Sequence, residues 1–206
     1  GDSDWSSDGD YGLDVRADDL AKIAAVGSRP FALVGASLGG ITAMVAASHG
    51  LDPAALVLVD IVPKMSPKGV AKITAFMKAS PNGFASLEEA ADAISAYYPD
   101  RPRPKDLSGL NKNLRKGDDG RYRWHWDPRW MQSDRGDPRF LLELMDKADW
   151  TDRVPTLLVR GMKSDIVDDD GVADLRRRIP ALEIADIRGA GQMVAGGKND
   201  EFNAAV

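Results

Sequence analysis

The sequence predicts an α/β fold, a parallel sheet with helices on both faces and a helical insertion in its middle, and three observations carry that prediction. Residues 31–60 and about 155–188 each read as strand, helix, strand, with short apolar runs that lack polar alternation. That is the pattern of strands covered on both faces. Residues 63 to about 150 lose the strand pattern and take helical spacing, broken by Pro81-Asn82-Gly83 and by Pro99-Asp100-Arg101-Pro102. Finally, 206 residues with 43% hydrophobic content suffice for one sizeable core with an inserted subdomain.

Along the chain, Leu13, Leu20, Ile23 and Ala24 recur near helical spacing and predict a surface helix over 13–26. Pro30 opens a strand at 31–34, a helix follows near 38–49, and a second strand is expected at 55–60. Helical segments are expected near 67–79, 86–98, 105–115 and 137–148. A strand from Thr156 to Val159, a helix from about Gly171 to Ile179 and a strand from Leu182 to Ile187 make the second unit, and residues 200–206 open a further helix. The expected division is a core formed by 1–62 and 151–206, with 63–150 inserted between its two parts. The sequence shows no internal repeat or low-complexity segment.

Gly35-Ala36-Ser37-Leu38-Gly39 stands between the first apolar strand and the helix after it. A serine on a sharp strand-to-helix turn has its hydroxyl exposed above the sheet edge. Gly-x-Ser-x-Gly marks such a turn, on the expectation that side chains at Gly35 and Gly39 would crowd it. Ser37 is the candidate nucleophile. Leu38 N–H, at the helix start, is the candidate oxyanion donor, because amide donors and the helix dipole both favour negative charge there. The competing reading is an ordinary Gly-rich turn, and the flanking strand and helix favour the elbow.

With this motif, further segments resemble the α/β-hydrolase family over nearly the whole chain. Gly1-Asp2-Ser3-Asp4-Trp5 is similar to the end of the family's Gly-His-Gly-x-Ser loop after its fourth strand. Ala55–Asp60 is similar to the sixth strand and Pro155–Gly161 to the seventh. The resemblance implies that Asp165, on the loop after the seventh strand, is the triad acid. Asp60 is the alternative, with a hydrogen bond to the loop entering the insertion as its expected role. In Gly189-Ala190-Gly191-Gln192-Met193-Val194, the resemblance places Gln192 where the family keeps its histidine. It also implies that 63–150 is a cap inserted after the sixth strand. The aromatics of that segment, from Tyr97 to Phe140 and Trp150, suit a pocket lining as well as plain packing. Trp124, Trp126 and Trp130 are the candidates for substrate binding.

Gln192 governs the expected activity. A serine hydroxyl needs a base to take its proton, and an amide does not serve as one. Loss of a triad histidine has cost on the order of a million-fold in turnover. Of the two histidines present, His49 falls at the end of the helix after Ser37, where the dipole favours a cation. His125 lies in the insertion and reads as a packing or lid residue in preference to a substitute base. Three readings stay open: a hydrolase of small esters, acting through an acyl-enzyme and impaired by Gln192; a catalytically silent hydrolase-fold protein that binds a small apolar ligand; and an engineered variant whose missing base traps substrate. Perhydrolases and carbon–carbon bond hydrolases share similar elbows.

The net charge of −5 leaves no basic footprint for nucleic acid. No apolar run approaches the roughly 20 residues that span a bilayer, and the polar, acidic start does not read as a signal peptide. Zero cysteines exclude disulfides and thiolate metal sites and agree with a cytoplasmic location. No cofactor or metal is expected, since Asp168, Asp169 and Asp170 read as negative charge at a helix N-terminus rather than as a cation site. The family's first strands and second oxyanion donor lie upstream of the point where this chain opens, so it resembles an internal portion of a hydrolase. Phe31–Val34 is then expected to be an unpaired apolar edge that favours dimerisation. The expected partners are a small-molecule substrate or ligand and a second copy of the chain.

Overall fold

A computed structural model describes residues 3–99, 103–131, 139–191, 194 and 199–206. In chain order its elements are α1 (Leu13–Val26), β1 (Ala32–Ala36), α2 (Leu38–Ser48), β2 (Ala55–Val59), α3 (Pro67–Lys78), α4 (Leu87–Tyr97), β3 (Leu114–Lys116), β4 (Tyr122–Trp124), α5 (Phe140–Asp146), α6 (Trp150–Arg153), β5 (Thr156–Gly161), α7 (Asp169–Arg178), β6 (Glu183–Ile187) and a last helix, Asn199–Ala205. They group into two compact units. One comprises Tyr11–Ala71 and Asp134–Val206, the other Gly1–Asp10 and Lys72–Ser133.

The first unit holds a four-stranded sheet in the order β1-β2-β5-β6, parallel at every pairing. The register sets Gly35 beside Leu58, Leu58 beside Leu158, and Leu158 beside Ile184. Side chains alternate across a strand, so each strand serves two helical layers. Leu56, Leu58 and Leu158 are fully buried on the face that carries α2, whose Met44 and Val45 are buried with them. On the opposite face Val57, Val59, Val159 and Ile187 cluster with Phe202 and Ala205 of the last helix. A parallel sheet with helices on both faces is therefore the architecture. At about 1.5–3 kcal/mol for each buried leucine, valine or isoleucine, these two layers dominate the stability of the unit.

Trp150 extends that core. It is buried, and its indole N–H donates to Ser48 Oγ at 2.8 Å. Phe140 and Trp150, expected among the cap aromatics, thus belong to the unit of the parallel sheet. α1 is the surface helix foreseen over 13–26, with only Ala17 buried.

The second unit is built around Phe84, Ala90 and Leu114, with Leu87, Leu110, Tyr122 and Trp124 packed on them. α4 begins with a reciprocal cap. Ser86 Oγ accepts from Glu89 N at 3.1 Å, and the Glu89 carboxylate accepts from Ala85 N. The expected helix over 105–115 is a single 3₁₀ turn, Ser108–Lys112, and the chain then enters β3, which pairs antiparallel with β4. Gly117-Asp118-Asp119-Gly120 supplies the reason. Gly120 adopts φ 78°, which closes a hairpin and stops a helix. Residues 3–10 are held to this unit by Trp5 Nε1, which donates to the His125 carbonyl at 3.1 Å, and by Arg129, which donates to the Ser6 carbonyl at 2.6 Å.

Candidate active site

All four strands of the sheet run the same way, so the residues that follow β1, β2, β5 and β6 emerge at one carboxyl edge, where ligands bind in open α/β sheets. Ser37 follows β1. It is the one residue between β1 and α2, with φ 49° and ψ −118°, a conformation that costs a non-glycine residue on the order of 1–3 kcal/mol. Ser37 N donates to Val59 O at 3.1 Å, and Ser37 O accepts from Gly40 N at 2.9 Å and Ile41 N at 3.2 Å. The turn is thus welded to β2 on one side and to the first turn of α2 on the other. Leu38 N–H sits at the first position of α2, where an α-helix provides no carbonyl partner.

The glycines that permit this turn are not the pair expected. A Cβ on Gly35 would stand 2.6 Å from Gly40 Cα and N, and a Cβ on Gly40 would stand 2.5 Å from Ile61 Cγ2 and 2.9 Å from Gly35 O. A Cβ on Gly39 would meet no described atom within 4 Å. Close packing of α2 on β1 therefore requires Gly35 and Gly40. The expectation that Gly39 crowds the turn is corrected, because Gly39 points outward from the helix start and is exposed.

Asp165 lies on the loop between β5 and α7. The loop is held from three sides. Ser164 N donates to Gly161 O at 2.9 Å and Ser66 N to Ile166 O at 2.9 Å. The first turn of α3 abuts Asp165 so closely that a Cβ on Gly69 would be 2.0 Å from the Asp165 carbonyl oxygen. The third support is Asp60, which follows β2 with φ 49°. Its carboxylate accepts from Gly161 N at 2.9 Å and from Ser164 Oγ at 2.6 Å. Asp60 thus bonds the loop after β5, not the loop entering the insertion as expected. Burial pushes its carboxyl up to about 6, against the lowering effect of Ser164, Gly161 and Arg160.

Downstream, Asp168 Oδ1 accepts from Gly171 N at 2.8 Å and caps α7, while Asp169 pairs with Arg160 at 2.7 Å. The carboxylates at 168 and 169 are thus engaged in a cap and an ion pair. After β6, the turn toward position 192 is joined to the acid loop by Lys163 N, which donates to Ala190 O at 2.8 Å. A Cβ on Gly161 would come within 2.4 Å of Gly191 O. Gln192 itself lies outside the described residues.

The two histidines lie on different elements. His49 closes α2, its N–H bonded to Val45 O and Ala46 O and its Nε2 3.8 Å from Asp14 Oδ1. His125, in the other unit, donates its backbone N–H to Asn113 O at 3.0 Å. Within that same unit Trp124 and Trp126, with Ile73, Phe76, Met77, Tyr97 and Tyr98, line a cavity of about 180 Å³. Phe76 stacks on Tyr97 with centroids 4.4 Å apart. Trp130 packs edge-on against Trp126 at 5.6 Å and does not line the cavity. Ser164 escapes a reading of the sequence, and for Asp60, a carboxylate closing the apolar run Ala55–Val59, the sequence gives a hydrogen-bonding role without its partners.

Among the described residues, no helix is long and apolar enough to cross a membrane. An esterase of Mycobacterium tuberculosis is similar in structure, with a TM-score of 0.76 and 28% identity over 96% of this chain and 69% of that one. An alpha/beta hydrolase from Novosphingobium aromaticivorans matches with a TM-score of 0.77 and 26% identity, covering 100% of this chain and 74% of its own. E-2-(acetamidomethylene)succinate hydrolase shares the fold, at a TM-score of 0.77 and 22% identity over 95% of this chain and 72% of that one. No curated protein sequence gives a significant match. The family model for the alpha/beta hydrolase family matches residues 1–205. A parallel sheet with a one-residue serine turn at its carboxyl edge agrees with that match along the whole chain, and the chain belongs to the alpha/beta hydrolase family.

Proposed function

We propose that this chain is built for hydrolysis of a small ester through an acyl-enzyme on Ser37, and that Gln192 holds it nearly silent. The observation that carries the reading is the Ser37 turn. A strained single-residue junction, kept at the start of a helix by Gly35 and Gly40, is costly for packing alone and is what an exposed nucleophile requires. In this reading Ser37 Oγ attacks the ester carbonyl, the carbonyl oxygen becomes an oxyanion, and Leu38 N–H donates to it. Asp165 is the acid that would orient a base. By the family resemblance Gln192 stands where a base is required, and an amide does not take up the Ser37 proton. Trp124 and Trp126 line an aromatic cavity within their own unit, and with Trp130, packed edge-on against Trp126, they are the proposed apolar contacts of the ligand.

A second reading, binding of a small apolar ligand without turnover, is favoured by Gln192 and by the same cavity. One experiment separates the two. In a protein that also carries the family's upstream strands, Gln192→His is expected to raise p-nitrophenyl ester turnover by several orders of magnitude, and Ser37→Ala in that background to remove the gain. A folded Gln192→His protein with turnover no higher than its parent refutes the hydrolase reading and leaves ligand binding.

A further inference from the structure

Asp60 bears two costs at once. It is fully buried, which disfavours its ionised form, and its φ of 49° lies in a region that few non-glycine residues adopt. Such costs concentrate where the surrounding structure gains something from them. The gain here is visible in the bonds. The Asp60 carboxylate holds Gly161 N, at the last residue of β5, and Ser164 Oγ. Ser164 Oγ then accepts from Ile166 N at 3.1 Å and Val167 N at 3.2 Å. Asp165 sits between Ser164 and Ile166, so this network fixes its main chain on both sides. On the strand side, Ala36 and Val59 are register partners and Ser37 N donates to Val59 O. Asp60 therefore follows the residue that anchors the serine turn and itself anchors the acid loop.

We propose that Asp60 is a positioning residue that sets the loop carrying Asp165 with respect to Ser37, acting through the Ser164 hydroxyl and the Gly161 amide. The proposal rests on the reading of Ser37 and Asp165 given above. Asp60 is not an acid of the triad in its own right. Both its oxygens face the loop after β5, whereas Ser37 follows β1 on the other side of β2. The charged group that acts on it is Arg160, which favours the ionised form against burial. Ionised, the carboxylate accepts both bonds; protonated on Oδ2 it becomes a donor, its O–H competes with the Ile166 and Val167 amides for the Ser164 Oγ lone pairs, and the loop loosens.

The test follows the loop directly. In ¹⁵N-labelled protein, the amide signals of Gly161, Ser164, Ile166 and Val167 are expected to titrate together with a midpoint near pH 6. Asp60→Asn should remove that shared titration, Asp165→Asn should leave it in place, and Ser164→Ala should keep it at Gly161 while abolishing it at Ile166 and Val167. Amides that do not titrate together, or that titrate unchanged in Asp60→Asn, overturn the proposal. In the Gln192→His background, Asp60→Asn is expected to lower kcat about ten- to a hundredfold with little change in KM, by analogy with the hydrogen-bond partners that orient metal ligands, and without a lower melting temperature. Unchanged kcat overturns the positioning role even where the titration is seen. If Gln192→His itself shows no ester turnover, the functional reading fails separately, and the amide titration still decides whether Asp60 governs the loop.

Discussion

Ser37 and Asp60 end adjacent parallel strands with the same φ of 49°, yet the two turns are kept by different forces. The Ser37 turn is kept by absence: Gly35 and Gly40 have no side chains, so α2 can start directly against β1. The Asp60 turn is kept by presence, a buried carboxylate spanning to Gly161 and Ser164 of the next strand and its loop. The first leaves the Ser37 side chain half-buried at the start of a helix; the second leaves the Asp60 side chain fully buried. A steric turn tolerates no added volume, whereas a hydrogen-bonded turn tolerates a change of charge. Each should therefore fail under a different kind of substitution.

The largest expected effect is steric. Gly35→Ala places a methyl group 2.6 Å from backbone atoms of Gly40, and backbone at the start of a helix welded to Val59 does not yield easily. The expected loss is about 3 kcal/mol or more, at the upper end of overpacking costs. Urea unfolding followed by circular dichroism checks it. A midpoint within error of the parent would show that α2 slides along β1, and that the elbow is softer than its contacts imply.

The Asp60 turn should respond to pH instead. Its carboxyl is raised from 3.8 to about 6 on folding, so between about pH 4 and 6 the native state binds more protons than the unfolded one. This group's contribution to stability is then fully present below about pH 4 and declines as pH rises through 6, by up to roughly 3 kcal/mol. Asp60→Asn removes that decline. The variant is expected to be about 1–3 kcal/mol more stable than its parent at pH 7.5, with the advantage shrinking toward pH 4. Paired denaturation curves at several pH values cancel the other carboxylates, and a variant less stable at pH 7.5 would sink the idea that ionised Asp60 is a cost to the fold.

The same contrast explains what could be read from the sequence. Ser37 was legible because its constraint is local: the glycine two residues earlier, the apolar strand and the helix all lie within a few positions. Asp60 was legible as a hydrogen-bonding carboxylate but its partners were not, because Gly161 and Ser164 are 101 and 104 residues away. Trp150 likewise reads as one more aromatic of a helical insertion until Ser48, 102 residues earlier, is found at its indole N–H. The β3–β4 hairpin escaped for another reason. Its strands are three residues long, too short for alternation to show, while Leu107, Leu110 and Leu114 fall at helical spacing. Periodicity is a signal of burial on one side, and Leu114 is buried from a strand as well as it would be from a helix.

The smallest expected effect bears on the motif itself. Gly-x-Ser-x-Gly names Gly39 as the second required glycine, but its neighbour Gly40 carries the close contacts, with Ile61, Gly35 and Leu58. Gly39 is exposed, adopts no positive φ, and lies in the first turn of α2 with no described atom near its missing side chain. Alanine there should remove backbone entropy from the unfolded chain at no steric expense, a gain of up to about 1 kcal/mol. Gly40→Ala, one residue on, should instead lose about 1–3 kcal/mol. Thermal melts of the two single variants compare them directly. If Gly39→Ala proves the more damaging of the pair, the motif glycine meets something other than the residues described, and the steric account of the Ser37 turn must be redrawn around it.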